Sequence, residues 1–371
     1  KMSISLSSKK TSNELHLEIK DVDTSIVNGI RRVCISEYKT VAFNTEDYIN
    51  SDLKVIKNTC GLHNEFLLHR IGMVPIHANK ETFDVNRYNF ILKKKNEGTS
   101  TINVTTEDFE VIDTETGKNV DSKKFFPPNE RNSYILITKL KANPNNKGEE
   151  IHIEGKASIN NGKKHARYQP ISCITYNNKR DPEKVQKGLE LYLKENKDSE
   201  NKESLERQFE LSKADRYFHT NKQGICDQYE MYIESLGIES PEKILHGCLD
   251  ILTQKLENFK TAITNIVGNK SEDERISLDV SVENMKAYTI TAKNESHTLG
   301  NLIQFHALNF FDRKKLMYIG YKNPHPLKDL IEIKISTQNN TPEEIQEIIT
   351  ITCDKIIAIL EGFKKTVHKK L

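Results

Sequence analysis

Hydrophobic residues alternate with polar ones over residues 15–19, and this period of two predicts a half-buried strand. In the next stretch Ile26 and Ile30 recur at helical spacing, and Asp23 or Thr24 can cap the first turn. Renewed alternation after the helix predicts a second strand. The chain is therefore expected to begin as strand, amphipathic helix and strand.

Residues 46–154 differ in composition and predict a β-rich insertion. A helix-like stretch over 60–75 stops at Pro75, because proline disrupts a helix interior. The rest is rich in Thr, Asn, Asp and Lys, with short alternating runs that predict strands. Exposed loops are expected at 93–100, 113–132 and 143–149.

Regular patterning resumes after the insertion. A charged stretch over 179–214 predicts short surface helices around a loop at 195–203. Pro241 then opens the clearest helix of the first half, whose apolar stripe continues to Ile263 and which Gly268 ends. Polar residues 269–275 follow and are the predicted joint between two domains.

The last hundred residues repeat the plan of the first part in compact form. Alternation at 288–292, 318–321 and 331–335 predicts three strands, with a helix over 294–311, and a long terminal helix opens at Pro342. A thin sheet with amphipathic helices buries its apolar surface best by pairing with another such unit. The predicted fold class is therefore α+β, with two dimerisation units paired pseudo-symmetrically in one chain and the first interrupted by the insertion.

Net charge argues against one class of function. The 55 Lys and Arg residues nearly balance 53 Asp and Glu, for a formal net charge of +2, which disfavours nucleic-acid binding by bulk charge. A free-standing nucleic-acid-binding regulator stays the alternative, because two local basic groups are present. They are Lys93–Lys95 and the C-terminal Lys364, Lys365, Lys369 and Lys370.

Membrane insertion and secretion have no support in the sequence. Apolar runs fall well short of the ~18 residues that a membrane helix needs, and the first residues lack the apolar core of a signal peptide. We therefore expect an intracellular protein without a membrane segment.

Catalytic and metal-binding chemistry has little support either. The six cysteines include no CxxC pair that could bind zinc or an iron–sulfur cluster. His63 and His69 fall on different faces of their predicted helix. The sequence has no nucleophile elbow, P-loop or dinucleotide-binding motif. We expect no catalytic residue, no metal and no cofactor.

Arginines on two predicted helices suggest a surface for a partner protein. Arg31 and Arg32 lie between apolar positions of the first helix, and Arg70 follows an apolar trio. Guanidinium groups on rigid helices suit multi-donor contacts with a partner. A solvated polar face would show the same spacing, so the spacing alone leaves both interpretations open.

Several longer segments resemble known proteins. Four of them resemble the third-largest subunit of RNA polymerase II, whose family includes the archaeal D subunit and the N-terminal domain of the bacterial alpha subunit. They are DTSIVNGIRRVCISE (23–37), NEFLLHRIGMVPI (64–76), KKHARYQPISCITY (163–176) and YEMYIESLGIESPEKIL (229–245). Two more, ESHTLGNLIQFHAL (295–308) and YIGYKNPHPL (318–327), resemble its small partner, the eleventh subunit or archaeal L subunit. The chain is thus similar to a fusion of the two, as in polymerases of large cytoplasmic DNA viruses.

The resemblance implies a non-catalytic assembly platform of a multisubunit DNA-directed RNA polymerase. The implied partners are the second-largest and largest subunits and small zinc-binding subunits, and DNA is met only through the complex. Many relatives carry a metal-binding cysteine cluster in the insertion, whereas residues 61–172 contain no cysteine, so we expect no metal there. The free chain should be a monomer, located in a cytoplasmic viral factory or virion if viral and in the nucleus otherwise.

The resemblance also implies contacts and domains by position. Expected partner contacts are Gly29, Arg31, Arg32, His69, Arg70, Gly72, Lys164, His165, Arg167 and Tyr168. The core of the intrachain pseudo-dimer is expected to include Ile26, Ile30, Leu299, Leu302 and Ile303. The implied domains are 1–45 and 155–268 as two parts of the first dimerisation domain, 46–154 as the insertion domain, 269–275 as the joint and 276–371 as the eleventh-subunit-like domain.

Overall fold

A computed structural model of the chain describes residues 3–6, 13–142, 148–196, 201–268, 274–281 and 287–370. Residues 269–273 of the predicted joint lie outside the described residues. The same holds for 197–200 of the predicted charged loop and for 143–147 of the third insertion loop.

Helices and strands alternate along the described chain. The seven α-helices within these ranges are α1 Thr24–Ser36, α2 Asn64–Gly72, α3 Pro182–Glu195, α4 Lys202–Ser212, α5 Pro241–Val267, α6 His297–Phe310 and α7 Pro342–Lys370. The seventeen strands in the same ranges are β1 Ser3–Leu6, β2 Glu14–Lys20, β3 Lys39–Ala42, β4 Leu53–Asn58, β5 Tyr88–Lys95, β6 Ile102–Thr105, β7 Phe109–Asp113, β8 Asn119–Val120, β9 Leu136–Leu140, β10 Glu150–Gly155, β11 Ser158–Asn161, β12 Ile171–Asn178, β13 Gln228–Ser235, β14 Ile276–Ser281, β15 Ala287–Lys293, β16 Leu316–Lys322 and β17 Leu330–Thr337.

Two four-stranded sheets have the same topology. Their strand orders are β1-β2-β13-β12 and β14-β15-β17-β16, so in each copy the fourth strand lies between the second and the third. The helix α1 or α6 follows the second strand of its copy, and the long helix α5 or α7 follows the fourth. The repeated order confirms the α+β class and the predicted pair of related units.

The chain forms two compact units. The repeat unit contains residues 1–33, 173–233 and 245–371, and the insertion unit contains 34–172 and 234–244. Most of both four-stranded sheets therefore belongs to the repeat unit. The domain limits implied by the resemblance differ from these boundaries and stay a prediction.

The first strand and helix show how the sequence pattern becomes structure. In β2, Leu15, Leu17 and Ile19 are buried and alternate with half-buried polar residues. Helix α1 begins after Asp23, whose carboxylate accepts a hydrogen bond from the Ser25 amide at 2.8 Å. This cap supplies a partner for an amide that the helix start leaves without one.

Two features depart from the sequence prediction, and a third agrees with it. Strands β1 and β14 are additional edge strands, and each pairs antiparallel with the next strand of its copy. Helix α2 ends at Gly72 and is shorter than the predicted stretch over 60–75. The predicted surface helices are present as α3 and α4, and they interrupt the first copy between β12 and β13, where the second copy has a short loop.

The insertion unit is β-rich, as predicted, and has an aromatic core. Its five-stranded sheet has the order β4-β10-β5-β7-β8, beside the pairs β3-β11 and β6-β9. The Phe43 and Phe90 rings meet edge to face at 5.1 Å, and Phe109 stacks on Phe126 at 4.8 Å. Leu67 of α2 is buried in the same core, so this core fixes the position of α2.

Candidate partner interface

The five residues predicted for the pseudo-dimer core are buried in the repeat unit. Ile26 and Ile30 lie on α1, whereas Leu299, Leu302 and Ile303 lie on α6. Each is at most 2% exposed. Both helices therefore turn apolar side chains into the interior of the repeat unit.

Helices α1 and α6 also contact each other directly. A Cβ atom at Gly29 would lie 3.7 Å from both Leu302 and Thr298, and Arg32 donates from Nε to the Thr298 hydroxyl at 2.9 Å. Gly29 is buried, so the structure places it in the helix crossing instead of on an exposed surface. Arg31 and Arg32 are half-buried. Of the predicted contacts on α1, two are thus part of the intrachain helix pair.

A carboxylate–imidazole pair lies at the other end of this crossing. The buried His306 ring on α6 has its Nε2 3.1 Å from Oδ2 of Asp23. Burial raises the pKa of Asp23. The hydrogen bond and the charge of His306 lower that pKa, as do the hydrogen bonds from Ser25 and the Ile26 amide. Together they outweigh the effect of burial, so the pKa of Asp23 lies below its ordinary value. Asp23 therefore both caps α1 and joins it to α6.

Ion pairs connect α5 with the second copy. Lys260 lies 2.6 Å from Asp354 on α7, and Lys255 lies 2.7 Å from Glu295, just before α6. Partly exposed pairs of this kind contribute at most about 1 kcal/mol each. Apolar burial therefore supplies most of the attraction between the copies, and the charges help to fix their register.

Helix α2 presents two of its predicted contact residues and buries the third. His69 and Arg70 are exposed, whereas Gly72 is buried. Arg70 donates to the carbonyl oxygens of Ile137 at 2.9 Å and Leu136 at 3.1 Å. Arg70 thus joins α2 to β9 while remaining at the surface.

Arg167 lies inside the insertion unit and is 6% exposed. Its Nη1 donates to the Phe43 carbonyl oxygen at 2.9 Å and to the Thr45 hydroxyl, and its Nε donates to His165 Nδ1 at 3.0 Å. Burial lowers the pKa of Arg167 and is partly offset by neighbouring Tyr168, but an arginine side chain keeps its charge in proteins. Arg167 therefore ties its own turn to the segment after β3.

The other members of the KHARY motif, residues 164–168, divide between surface and interior. Lys164 is exposed, whereas Tyr168 is buried and its hydroxyl lies 2.8 Å from the Ser158 hydroxyl. Burial raises the pKa of Tyr168. Burial and the nearby charge of Arg167 lower the pKa of half-buried His165. The lowered pKa favours the neutral ring, whose Nδ1 can accept the hydrogen bond from Arg167. Within this motif, Lys164 and part of His165 are the accessible groups.

An open groove of about 850 Å³ lies beside α2 in the insertion unit. We call it the α2 groove. It is lined by Thr45, Glu46, Asp47, Tyr48, Ile49, His63, Glu65, Phe66, Leu68, His69, His165 and Arg167.

The α2 groove has an apolar rim that sequence reasoning missed. Ile49 is 88% exposed, Phe66 is 60% exposed and Tyr48 is 48% exposed. The Tyr48 hydroxyl accepts a hydrogen bond from Asn64 Nδ2 at 3.1 Å, which joins the loop to the start of α2. The signal in the sequence was weak, because Tyr48 and Ile49 are two adjacent apolar residues in a polar loop.

The structure brings some predicted contact residues together. His69 of α2 and His165 and Arg167 of the KHARY turn line one groove in the insertion unit. Gly29 and its neighbouring arginines on α1 belong to the repeat unit.

The described residues contain neither a metal-binding cluster nor a membrane-spanning helix. Across the described ranges, no group of three or more His, Cys, Asp and Glu residues is arranged to hold a metal ion. No helix in the described part of the chain is both long and apolar enough to cross a membrane.

Two sheet-and-helix copies of one topology, paired through α1 and α6, define a fused dimerisation protein. A family model described as the RNA polymerase Rpb3/Rpb11 dimerisation domain matches residues 16–256, and a second model with the same description matches residues 287–366. The chain therefore belongs to the RNA polymerase Rpb3/Rpb11 dimerisation family. The resemblance found in the sequence is confirmed at the level of the family.

Named relatives agree with this family. The chain is 30% identical over 186 residues to DNA-directed RNA polymerases I and III subunit rpac1 of Dictyostelium discoideum, covering 45% of this chain and 50% of the relative. It is 26% identical over 171 residues to DNA-directed RNA polymerase subunit Rpo3 of Methanosphaera stadtmanae, covering 43% and 54%. It is 32% identical over 94 residues to DNA-directed RNA polymerase II subunit rpb11 of Dictyostelium discoideum, covering 25% and 74%. The chain spans about half the length of the two larger relatives.

The alternative of a free-standing nucleic-acid-binding regulator is not supported. Lys94 lies 2.6 Å from Asp108 and Lys95 lies 3.1 Å from Glu97, so part of the first basic group is neutralised. Lys364 of the second group pairs with an aspartate on α5. The side chains of the C-terminal Lys369 and Lys370 lie outside the described residues.

Proposed function

We propose that this chain is a non-catalytic subunit of a multisubunit DNA-directed RNA polymerase, on which the two largest subunits assemble. The observation that carries the proposal is the presence of two matches to the Rpb3/Rpb11 dimerisation family in one chain, with α1 and α6 in contact. A paired helix platform of this kind presents rigid surfaces and needs no reacting groups of its own.

Two surfaces of this platform are proposed to contact the large subunits. In the repeat unit the surface includes half-buried Arg31 and the accessible part of Arg32. In the insertion unit it includes exposed His69, Arg70 and Lys164 together with the α2 groove. Gly29, Gly72, Arg167 and Tyr168 support these surfaces from the interior.

The proposal also covers the partners, the domain limits and the site of action. The partners are the second-largest and largest subunits, with small zinc-binding subunits beside them, and DNA is contacted only through the complex. The domain limits are those implied by the resemblance. The site of action is a cytoplasmic viral factory or virion if the source is viral, and the nucleus otherwise.

Affinity purification of the tagged chain, followed by mass spectrometry, tests the proposal. We expect two chains several times its mass, in equal stoichiometry, and nucleotide polymerisation by the purified assembly. Nuclease treatment serves as the control, because it leaves a protein complex intact and releases proteins held only through nucleic acid. Recovery of the chain alone, or loss of all partners after nuclease treatment, contradicts the proposal.

A further inference from the structure

The α2 groove combines apolar and acidic groups at an accessible surface. Ile49 and Phe66 are strongly exposed on its rim, and large exposed apolar side chains grouped together mark interaction sites. Glu46, Asp47 and Glu65 are also exposed and line the same groove. Their three carboxylates give the rim a negative charge.

The shape of the groove is fixed by local hydrogen bonds. The Asp47 carboxylate accepts hydrogen bonds from the Ile49 amide at 3.0 Å and from Asn50 Nδ2 at 2.6 Å. These bonds hold the pKa of Asp47 below its ordinary value, so the carboxylate is charged at neutral pH. The Tyr48 hydroxyl is tied to α2 through Asn64. A preformed groove of this kind costs a ligand little conformational ordering.

Its floor contributes little free positive charge. The Arg167 guanidinium donates to the Phe43 carbonyl oxygen and the Thr45 hydroxyl, and is 6% exposed. The pKa of His165 is lowered, mainly by burial and to a smaller extent by the charge of Arg167. A partner thus meets a negative, apolar rim above a cation that is already hydrogen-bonded.

We propose that the α2 groove binds a polypeptide segment of a polymerase partner in which an apolar side chain is flanked by lysine or arginine. The apolar side chain packs between Ile49 and Phe66, and the cation meets the carboxylates of the rim. This proposal rests on the proposed function and adds the chemistry of the bound segment. Charge complementarity favours such a segment over nucleic acid, whose phosphates the acidic rim repels.

Paired substitutions in the full-length chain test the proposal within the tagged complex. Phe66→Ser removes apolar contact, and Ile56→Ser is its control, since Ile56 is exposed on β4 of the same unit but does not line the groove. Glu65→Lys reverses a rim charge, and Glu107→Lys is its control at an exposed site away from the groove. We expect retention of the large chains to fall at least about fivefold for each groove variant and to change little for each control. The loss with Glu65→Lys should depend on salt.

Photo-cross-linking identifies the bound segment. The photoreactive p-benzoylphenylalanine at position 66 retains an aromatic ring and should cross-link to one partner segment with the expected composition. Replacing the lysine or arginine of that segment by glutamate should then restore the retention lost with Glu65→Lys. Restored retention after this exchange of charges would show that Glu65 and the partner's cation contact each other, which the amino-acid composition of the cross-linked segment cannot show by itself.

The outcomes separate this inference from the proposed function. If the large chains co-purify but groove variants match their controls, the inference is wrong and the platform role stands. A cross-link to nucleic acid, to a second copy of this chain or to a segment without a cation also overturns the inference. If no large chain co-purifies with the wild-type protein, the proposed function fails and the inference fails with it.

Discussion

Gly72 and Arg167 depend on each other, because the guanidinium occupies space that a side chain at Gly72 would fill. A Cβ atom there would lie 2.4 Å from Arg167 Nη1 and 2.2 Å from the Thr45 hydroxyl oxygen. The small residue at the end of α2 therefore leaves room for the buried arginine that joins its own turn to the segment after β3.

Gly72→Ala should lower the free energy of unfolding by about 1–3 kcal/mol, since overpacking a filled interior forces neighbours to shift. Gly61→Ala is the matched control, because a Cβ atom at Gly61 would meet nothing within 4 Å. Urea denaturation of both variants measures the difference. Equal stability of the two variants would contradict the tight contact between Gly72 and Arg167.

Arg167→Met should lower the free energy of unfolding by about 2 kcal/mol, because the Phe43 carbonyl and Thr45 hydroxyl lose their buried donor. Arg131, which is exposed in the same unit, supplies the control, and Arg131→Met should change stability by no more than about 0.5 kcal/mol. Denaturant unfolding and partner retention should be measured together. Unchanged stability with lost retention would instead make Arg167 the direct partner contact that the resemblance implied.

At the scale of elements, one carboxylate serves two roles in the crossing of α1 and α6. Asp23 caps α1 through the Ser25 amide and approaches His306 of α6 at 3.1 Å. A change that keeps the cap but removes the charge separates these roles, and asparagine is such a change because it is also a good N-cap.

Asp23→Asn should destabilise the protein by about 1.5 kcal/mol at neutral pH, where a hydrogen bond to a charged group is lost. Because the pKa of Asp23 is lowered in the folded state, its contribution is present above its ordinary value of 3.8 and is lost as the pH falls through the folded-state pKa. The difference in the free energy of unfolding between wild type and Asp23→Asn should therefore shrink in acid. Thermal unfolding from neutral pH down to about pH 3 measures it, and a constant gap would contradict the pairing.

Elements with a strong internal pattern could be predicted from the sequence, whereas those that depend on a neighbour could not. Strand β2 and helix α5 carry their own periodicity, so the prediction located both. Edge strand β14 is short, and its pairing with β15 supplies hydrogen bonds that local sequence does not reveal. At Gly72, the last residue of α2, the approach of Arg167 leaves no space for a side chain, and the local sequence does not reveal that contact.

The motifs of the candidate site could be predicted from the sequence, but the burial of their individual side chains could not. The resemblance directed attention to His69 and the KHARY turn, which do line one groove. It could not show that Arg167 faces the interior, because exposure depends on the Phe43 and Thr45 segments that are distant in sequence. The apolar rim went unnoticed because Tyr48 and Ile49 are only two apolar residues in a polar loop, and the hydrogen bond that joins Tyr48 to Asn64 of α2 is not visible in the sequence.

At the scale of the whole molecule, the intrachain pairing predicts the oligomeric state. The helices that could pair with a second chain already contact each other, through Arg32 and Thr298 at one end and Asp23 and His306 at the other. Sedimentation velocity of the isolated chain should therefore give a single species of 42.7 kDa at micromolar concentration. A stable species of twice that mass would show that the halves pair between chains.

In the proposed function, one chain supplies both halves of the dimer on which the polymerase assembles. Native mass spectrometry of the purified complex tests this most directly, because it counts copies of each chain. We expect one copy of this chain for each copy of the largest subunit, with no separate small dimerisation subunit. Two copies per complex, or a separate chain of the Rpb11 type bound beside one copy, would contradict it.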